Sequence, residues 1–383
     1  MLASRLRGFG VTVFSEMSAL AERTGAINLG QGFPDTDGPA VMADAAVEAI
    51  GGGRNQYPPG SGIPELRRAI AVHQQRFYGL ALDPDTEVLV TAGATEAVTA
   101  AVLALCEPGD EVVMFEPSYD SYAPAVAMAG ATRRVVPLRP PDWHVDVDEL
   151  AAAITPRTRL LLLNAPHNPT GKVFDAAELS AIAELCIEHD LLVVTDEVYE
   201  HLVFEGHHVP LASLPGMGDR TLTVSSAGKS FSFTGWKIGW VCGPAPMVAA
   251  VRTVKQYLTY VNGAPFQPAV ALGLGLPDAF FAGAAADLAL RRDRLCDGLV
   301  AAGFAVFPPM ATYFVMTDIG ALGAEDGVGF CRRLPERCGV VAIPASAFYD
   351  DPETGRSLVR FAFCKSLDTI DEAVRRLLTL RGA

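Results

Sequence analysis

Short apolar runs alternate with helical stretches along most of this chain. From Val88 onward, short apolar runs of four or five residues alternate with segments that have helical spacing. This alternation is typical of a parallel sheet covered by helices on both faces. The runs that predict its strands are Glu87 to Val90, Glu111 to Phe115, Leu160 to Leu163, Leu191 to Val194 and Thr221 to Val224. We therefore predict an α/β fold.

A long helical stretch from Pro277 to about Ala302 follows the alternating region. Its charged positions, Arg291 to Arg294, predict a solvated face. Beyond it, three short strand-like pieces predict a smaller mixed sheet, and they are Ala305 to Phe307, Tyr313 to Met316 and Leu358 to Phe363. The 383 residues thus divide into a large domain, 39–277, and a smaller α+β domain, 278–383, preceded by the segment 1–38.

Composition narrows the function classes. The net charge of −14 argues against a nucleic-acid or anionic-membrane surface, and small anionic substrates remain allowed. The seven cysteines show neither CxxC nor metal-ligand spacing, so we expect no disulfide framework, no metal site and a reducing cytoplasm. The amino terminus lacks a signal-like apolar core, and no apolar run reaches bilayer length.

Lys229 is the first candidate for chemistry. It follows the apolar run that ends at Val224, and burial there would lower its pKa toward the neutral amine that attacks carbonyls. Ser226 and Lys237 flank it and suit a phosphate. The alternatives are a solvated loop lysine and a nucleotide-binding P-loop, but the P-loop pattern needs a glycine where this chain has Thr223.

Other candidates follow the predicted strands, at the edge where parallel sheets bind ligands. Small residues after the first strand predict either a phosphate site at a helix N-terminus or ordinary capping, and they are Gly93, Ala94 and Thr95. Tyr119 is preferred over Tyr122 for stacking on a planar ligand. Asp196 would face the ligand, and Glu197 would point to the opposite side.

Two further features point to an anionic substrate. The loop with Asn168 and Pro169 predicts a rigid turn that presents a side-chain amide, with a cis bond before the proline, and His167 is assigned a structural role. Arg360 lies inside an apolar strand, where its guanidinium needs either a ligand carboxylate or a structural ion pair.

These features together match pyridoxal phosphate and an amino-acid substrate: an amine, a phosphate cup, a stacking aromatic, a buried carboxylate and a carboxylate-binding arginine. At this point the chain resembles the class I aminotransferases of fold type I, close to the N-succinyldiaminopimelate, kynurenine and methionine aminotransferase group. The motifs that carry the resemblance span nearly the whole chain, and they are NLGQGFPD, QYPPGSG, NAPHNPTG, TDEVYEHL, SSAGKSFSFTGWKIGW and VRFAFCKS. The resemblance implies a mostly parallel seven-stranded sheet in a cofactor-binding large domain, with 1–38 as an arm that packs on the small domain.

The resemblance also implies a role for each matching residue. Lys229 would bond the cofactor aldehyde and move protons, Asp196 would pair with the ring nitrogen, and Tyr199 with Asn168 would contact the ring hydroxyl. Tyr119 would stack on the ring. The residues implied to hold the phosphate are Gly93, Ala94, Thr95, Ser226, Lys237 and, from a neighbouring subunit, Tyr57. Lys237 stands where many relatives have arginine, and a lysine there cannot donate the two parallel hydrogen bonds of a guanidinium to the phosphate.

For the substrate, the resemblance implies that Arg360, Asn168 and the Gly32 amide bind the α-carboxylate. Phe14 and Tyr260 would contact the side chain, with Tyr260 reaching across a homodimer interface. The implied reaction moves an amino group from an L-amino acid to a 2-oxo acid such as 2-oxoglutarate. N-succinyl-LL-2,6-diaminopimelate of lysine biosynthesis is the expected donor. Kynurenine, glutamine or methionine transamination, a cysteine-conjugate β-lyase and a non-catalytic binding protein are the alternatives.

Overall fold

A computed structural model describes residues 3–10 and 12–382. Its strands are β1 (Ile27–Asn28), β2 (Val88–Thr91), β3 (Glu111–Glu116), β4 (Thr132–Pro137), β5 (Thr158–Asn164), β6 (Leu192–Asp196), β7 (Thr221–Ser226), β8 (Gly239–Cys242), β9 (Ala305–Phe307), β10 (Phe314–Asp318), β11 (Val340–Val341), β12 (Ile343–Pro344) and β13 (Leu358–Ala362). Its helices are α1 (Val13–Thr24), α2 (Ala40–Gly51), α3 (Pro64–Tyr78), α4 (Gly93–Leu105), α5 (Tyr122–Met128), α6 (Val147–Ala153), α7 (Ala176–Glu188), α8 (Ala227–Ser230), α9 (Ala245–Leu258), α10 (Phe266–Leu274), α11 (Asp278–Ala302), α12 (Gly327–Cys338) and α13 (Leu367–Leu377).

The large sheet has seven strands in the order β2-β8-β7-β6-β5-β3-β4. Neighbours from β7 to β4 pair in parallel, whereas β8 is antiparallel to both β7 and β2. The predicted seven-stranded, mostly parallel sheet is therefore confirmed. The apolar run of β8 does not reveal that this strand is antiparallel, because the direction of a strand depends on how the chain returns to the sheet.

Both faces of this sheet are covered, which explains the continuous apolar runs. Along β5, Leu160 and Leu162 pack into one hydrophobic cluster, whereas Leu161 and Leu163 pack into another. Successive side chains of a strand point to opposite faces, so a strand buried on both sides must be apolar throughout. The candidate site residues Asp196 and Ser226 lie at the ends of β6 and β7, where these strands leave the apolar layer.

Two smaller sheets complete the fold. The antiparallel sheet β12-β13-β10-β9 carries Arg360, and β1 pairs in parallel with β11. Helix α1 also contacts α12, and Glu16 forms an ion pair with Arg332 there. The segment 1–38 is thus joined to elements near the carboxyl terminus, while the division at residues 38 and 277 stays a prediction.

Helix α11 corrects one expectation in part. Its charge run was predicted to be a solvated face, and Asp293 and Arg294 are 59% and 60% exposed, but the side chains of Arg291 and Arg292 are only 15% and 12% exposed. Arg292 pairs with Glu205, a residue from a distant loop, so its burial depends on a tertiary contact. Within the described ranges, no single helix passes the length and hydropathy test for a membrane span, although the bent pair α10 and α11 passes it jointly.

Candidate active site

A cavity of about 320 Å³ lies where the carboxyl ends of the parallel strands face the small sheet. Every residue that the sequence predicted for the site lines this cavity, except Tyr57 and Tyr260. The cavity walls carry opposite charges, because Lys229, Lys237 and Arg360 lie there together with Asp196. The arrangement suits a ligand with an anionic group and a cationic or polar ring.

Lys229 lies in the short helix α8, directly after β7. Its Nζ donates a hydrogen bond to the hydroxyl of Tyr313 at 2.6 Å, and that hydroxyl donates to the Gly32 carbonyl at 2.6 Å. Burial lowers the pKa of Lys229 to about 8, although Cys364 and Asp196 oppose the shift. A substantial neutral fraction near pH 8 makes this amine a nucleophile and a proton acceptor.

Sequence reasoning missed Tyr313, which it treated only as part of a strand. The side chain lies 84 positions from Lys229 along the chain, and its ring packs edge-on against Tyr199 at 5.3 Å. No local pattern marks such a contact. The chain fold alone brings this hydroxyl to the lysine.

Asp196 ends β6 and is buried. Tyr122 donates a hydrogen bond to its Oδ2 at 2.7 Å, and burial raises its pKa to about 6. Tyr122 therefore contacts the acid directly, a role that the preference for Tyr119 had not foreseen. The predicted opposite orientation of Glu197 is confirmed, since its Oε2 lies 2.8 Å from His208 Nε2 and away from the cavity.

Asn168 is fixed by a second asparagine that the sequence analysis did not single out. Asn164, the last residue of β5, accepts a hydrogen bond from the Asn168 backbone N–H at 2.7 Å and donates to the Asp196 carbonyl at 2.8 Å. The predicted cis bond before Pro169 is present. The rigid turn thereby presents the Asn168 side chain to the cavity.

The opposite end of the cavity resembles an anion site. Helix α4 begins at Gly93 without a side-chain cap at Ala92, so its first amides remain available. A Cβ on Gly93 would lie 3.2 Å from Lys237 Nζ, and a Cβ on Gly239 would lie 2.7 Å from the Gly93 carbonyl carbon. The amides and the lysine converge here only because both positions are glycine.

Arg360 lies on β13 and is 2% exposed. Its guanidinium donates to Asn168 Oδ1 and to the Gly30 carbonyl, each at 3.0 Å, and stacks 3.8 Å above the centre of the Phe314 ring. Its Nε has no hydrogen-bond partner among the described residues. Burial lowers the Arg360 pKa to about 10, which still leaves the group charged at neutral pH. Both protein partners are neutral oxygens, so a carboxylate from a ligand would complete the set.

Tyr57 and Tyr260 lie outside the cavity of their own chain. They are 81% and 51% exposed, and their rings contact each other edge-on at 5.6 Å. Phe14, in contrast, lines the cavity and lies 5.7 Å from Phe348.

Comparisons with known proteins agree with this chemistry. The family model for aminotransferase class I and II matches residues 24–377. The probable N-succinyldiaminopimelate aminotransferase DapC of Mycobacterium tuberculosis is 58% identical, covering 99% of this chain and 98% of that protein. The methionine aminotransferase of Escherichia coli is 42% identical, covering 98% of each.

Solved structures extend the likeness to the fold. The N-succinyldiaminopimelate aminotransferase structure from Mycobacterium tuberculosis has a TM-score of 0.97, covering 99% of this chain and 100% of that one. An aspartate aminotransferase from Thermus thermophilus with maleate is 34% identical, with a TM-score of 0.92 and 99% coverage of both chains.

The cavity fits the cofactor of this family. A buried acid whose nearest side-chain partner is a neutral tyrosine suits a protonated pyridine nitrogen, and the glycine-lined cup suits a phosphate. Lys229 supplies an amine with a lowered pKa between these two groups. The chain belongs to the class I and II aminotransferases and is a pyridoxal-phosphate-dependent transaminase.

Proposed function

We propose that this enzyme transfers the amino group of N-succinyl-LL-2,6-diaminopimelate to a 2-oxo acid such as 2-oxoglutarate. The observation that carries the choice of donor is the 58% identity, over nearly both full lengths, to a protein named for this substrate. The methionine and kynurenine aminotransferases among the relatives are 37% to 42% identical. The 2-oxo acid and a role in lysine biosynthesis are part of the same proposal.

We assign the substrate α-carboxylate to Arg360. Its unpartnered Nε and its two neutral protein partners support this role, because a guanidinium binds a carboxylate best through two parallel hydrogen bonds. Asn168 and the Gly32 backbone, which border the same part of the cavity, would orient the carboxylate. Phe14 and Phe314 line the adjacent wall and would help to exclude water.

We assign the cofactor phosphate to the cup of Gly93, Ala94, Thr95, Ser226 and Lys237, and the ring nitrogen to Asp196. Bound pyridoxal phosphate withdraws electrons from the substrate Cα, which makes the Cα proton acidic. Asp196, held by Tyr122, keeps a negative charge where the ring nitrogen would lie. Tyr119 would stack on the ring, while Tyr199 and Asn168 would contact the ring hydroxyl.

Lys229 is the residue that moves protons in this proposal. Lys229 would hold the cofactor aldehyde, and its Nζ, once free, would accept the proton that leaves the substrate Cα. Tyr313 lies 2.6 Å from this Nζ and would accept a hydrogen bond from it while the amine is free. A pKa lowered by burial keeps the amine basic without holding it permanently charged.

We also propose a homodimer, in which Tyr57 and Tyr260 complete the site of the partner. Two large aromatic side chains in mutual contact but mostly exposed are costly on a free surface. A mixture of Tyr57→Ala and Lys229→Ala chains tests this arrangement, because a mixed dimer would carry one site free of both changes. If transaminase activity returns when the two variants are mixed, the shared sites are supported. If mixed dimers are shown to form and no activity returns, the shared sites are contradicted.

We place the enzyme in the cytoplasm. All seven cysteines are free, and most are buried, as expected in a reducing compartment.

The decisive experiment is a half-reaction screen on purified, cofactor-loaded enzyme. The cofactor absorbance is followed after separate additions of N-succinyl-LL-2,6-diaminopimelate, kynurenine, methionine, glutamine and glutamate, with Lys229→Ala as the control. We expect N-succinyl-LL-2,6-diaminopimelate to react fastest and 2-oxoglutarate to restore the spectrum. A faster reaction with another donor would reassign the substrate. Pyruvate release from cystathionine without any 2-oxo acid would instead indicate a β-lyase.

A further inference from the structure

A second cluster of polar side chains lies outside the cavity. His73 on α3 meets Glu200 and His201, which lie in the turn after β6, and each side chain offers one ligand atom within 4.8 Å of the other two. His73 and Glu200 are buried, whereas His201 is partly exposed. Phe77 and Phe281 surround the two imidazoles, with ring centres 4.7 and 4.2 Å from that of His201. The cluster is therefore polar inside an apolar shell, with one side open to solvent.

Two polar atoms of this cluster have no hydrogen-bond partner within the part of the chain that the structure describes. They are Nδ1 of His73 and Oε2 of Glu200. The other oxygen of Glu200 accepts a hydrogen bond from Ser225. Buried polar atoms are nearly always paired in folded proteins, so the orphan carboxylate oxygen of Glu200, next to two imidazoles, indicates a missing ligand.

We propose that His73, Glu200 and His201 bind a divalent transition-metal ion, for which zinc is the best match. Two imidazoles and one carboxylate are a donor set that zinc uses, with water in the fourth position. His201, which is partly exposed, provides the side from which water and the ion enter. Because His73 is distant in sequence from the other two, the spacing test that argued against a metal site does not apply to this cluster.

Metal binding requires a small, balanced rearrangement. The Nε2 atoms of His73 and His201 now share a hydrogen bond at 2.7 Å, whereas two nitrogens of a tetrahedral zinc site are about 3.3 Å apart, given zinc–nitrogen bonds of about 2.0–2.1 Å. The rings must therefore separate by roughly half an ångström. The imidazole that now donates moves its proton to its Nδ1, and both Nε2 lone pairs then face the ion. A proton held on the Glu200 carboxyl would be released to solvent when the ion binds, and no redox partner is needed.

The groups that face Glu200 favour a bound cation. Tyr78 and Glu197 lie close to it, as does His208, which pairs with Glu197. Among the described residues, no ion pair joins the Glu200 carboxylate to a cation, so a metal ion would stabilise it.

The test is a zinc titration of the cofactor-loaded enzyme after treatment with a chelator, read by calorimetry and by metal content after dialysis. We expect one zinc ion per chain. His73→Gln, His201→Gln and Glu200→Gln should each weaken binding at least about tenfold, since even changes beyond the ligands commonly cost that much. His189→Gln, at an exposed histidine outside the cluster, is the matched control and should bind like the wild type.

X-ray absorption at the zinc edge separates this site from binding by a cysteine. Nitrogen and oxygen neighbours at about 2.0–2.1 Å support the proposal, whereas sulfur at about 2.3 Å overturns it. Failure of the wild type to retain zinc, or equal affinity in the three variants and the His189 control, also overturns it. Glu200→Gln keeps the shape of the side chain, so its thermal unfolding without zinc shows whether lost binding reflects lost folding.

Discussion

Replacement of Arg360 by lysine tests the carboxylate assignment most directly. Lysine keeps the positive charge but cannot donate two parallel hydrogen bonds, and it loses the stacking on Phe314. One hydrogen bond to a charged group contributes about 1.5–3 kcal/mol. At about 1.36 kcal/mol per factor of ten, its loss lowers kcat/KM by about 10- to 150-fold. Arg360→Ala removes the whole group, and the loss should then reach about 2–5 kcal/mol.

The assay compares two donors in single-turnover half-reactions. One is an α-amino acid, and the other is the matching amine without its α-carboxylate. If Arg360 binds the carboxylate, Arg360→Lys slows the reaction of the amino acid by the factor above. The same variant should change the reaction rate of the amine by less than about threefold, because the amine has no carboxylate for residue 360 to contact and groups without contact have additive effects. Arg294→Lys is the matched control, since Arg294 is 60% exposed and pairs with Asp371.

Arg360 also has a structural role, because it joins Asn168 to the Gly30 carbonyl. If Arg360→Lys slowed both donors equally, the residue would act by holding these two segments in place, and the carboxylate assignment would be refuted. Thermal unfolding of the variant measures that structural part separately.

Two further changes test the lysine and the phosphate cup. In the cofactor-free protein, the pKa of Lys229 is lowered to about 8, so the folded chain binds fewer protons there than the unfolded chain between about pH 8 and 10, and stability from this group rises with pH across that window. Competitive acylation of Lys229, read by mass spectrometry as a function of pH, should give a titration midpoint near pH 8. This midpoint should fall further in Tyr313→Phe but not in Tyr257→Phe. A midpoint near pH 10 would contradict the burial of this amine. Gly239→Ala places a Cβ 2.7 Å from the Gly93 carbonyl carbon and 2.8 Å from the Ala94 nitrogen, and should weaken cofactor binding at least about tenfold in a fluorescence titration. Gly235→Ala, whose Cβ meets nothing within 4 Å, should bind normally, and equal effects of the two changes would count against the cup.

The strand ends were predictable because their signals are local. An apolar run must stop where a parallel strand leaves the core, so the sequence alone predicts Asp196 and Lys229 at one edge of the sheet. Arg360 was predictable for a similar reason, since a charge inside an apolar strand needs a partner. These residues violate the pattern around them, and that violation identifies them.

The residues that were missed follow the local pattern. Tyr313 and Tyr122 are aromatic residues at positions where a core aromatic is ordinary, and Asn164 is one of several polar residues in a turn. Each acquires a role through one atom that meets a distant residue, such as the Tyr313 hydroxyl and Lys229 Nζ. Spacing and composition contain no information on such contacts, because these depend on how helices and sheets pack.

The segment from Asp196 to His201 connects the two sites that this structure suggests. Asp196 and Tyr199 line the cavity, whereas Glu197 pairs with His208, and Glu200 and His201 face α3. An ion bound to Glu200 and His201 would therefore hold the outer side of the turn whose inner side carries Asp196. The Tyr122 hydroxyl also restrains Asp196, through a hydrogen bond of 2.7 Å to its Oδ2. If metal binding tightens this turn, it should narrow the range of positions open to Asp196, and the metal-free enzyme should then bind its cofactor more weakly while its substrate carboxylate site at Arg360 stays unchanged.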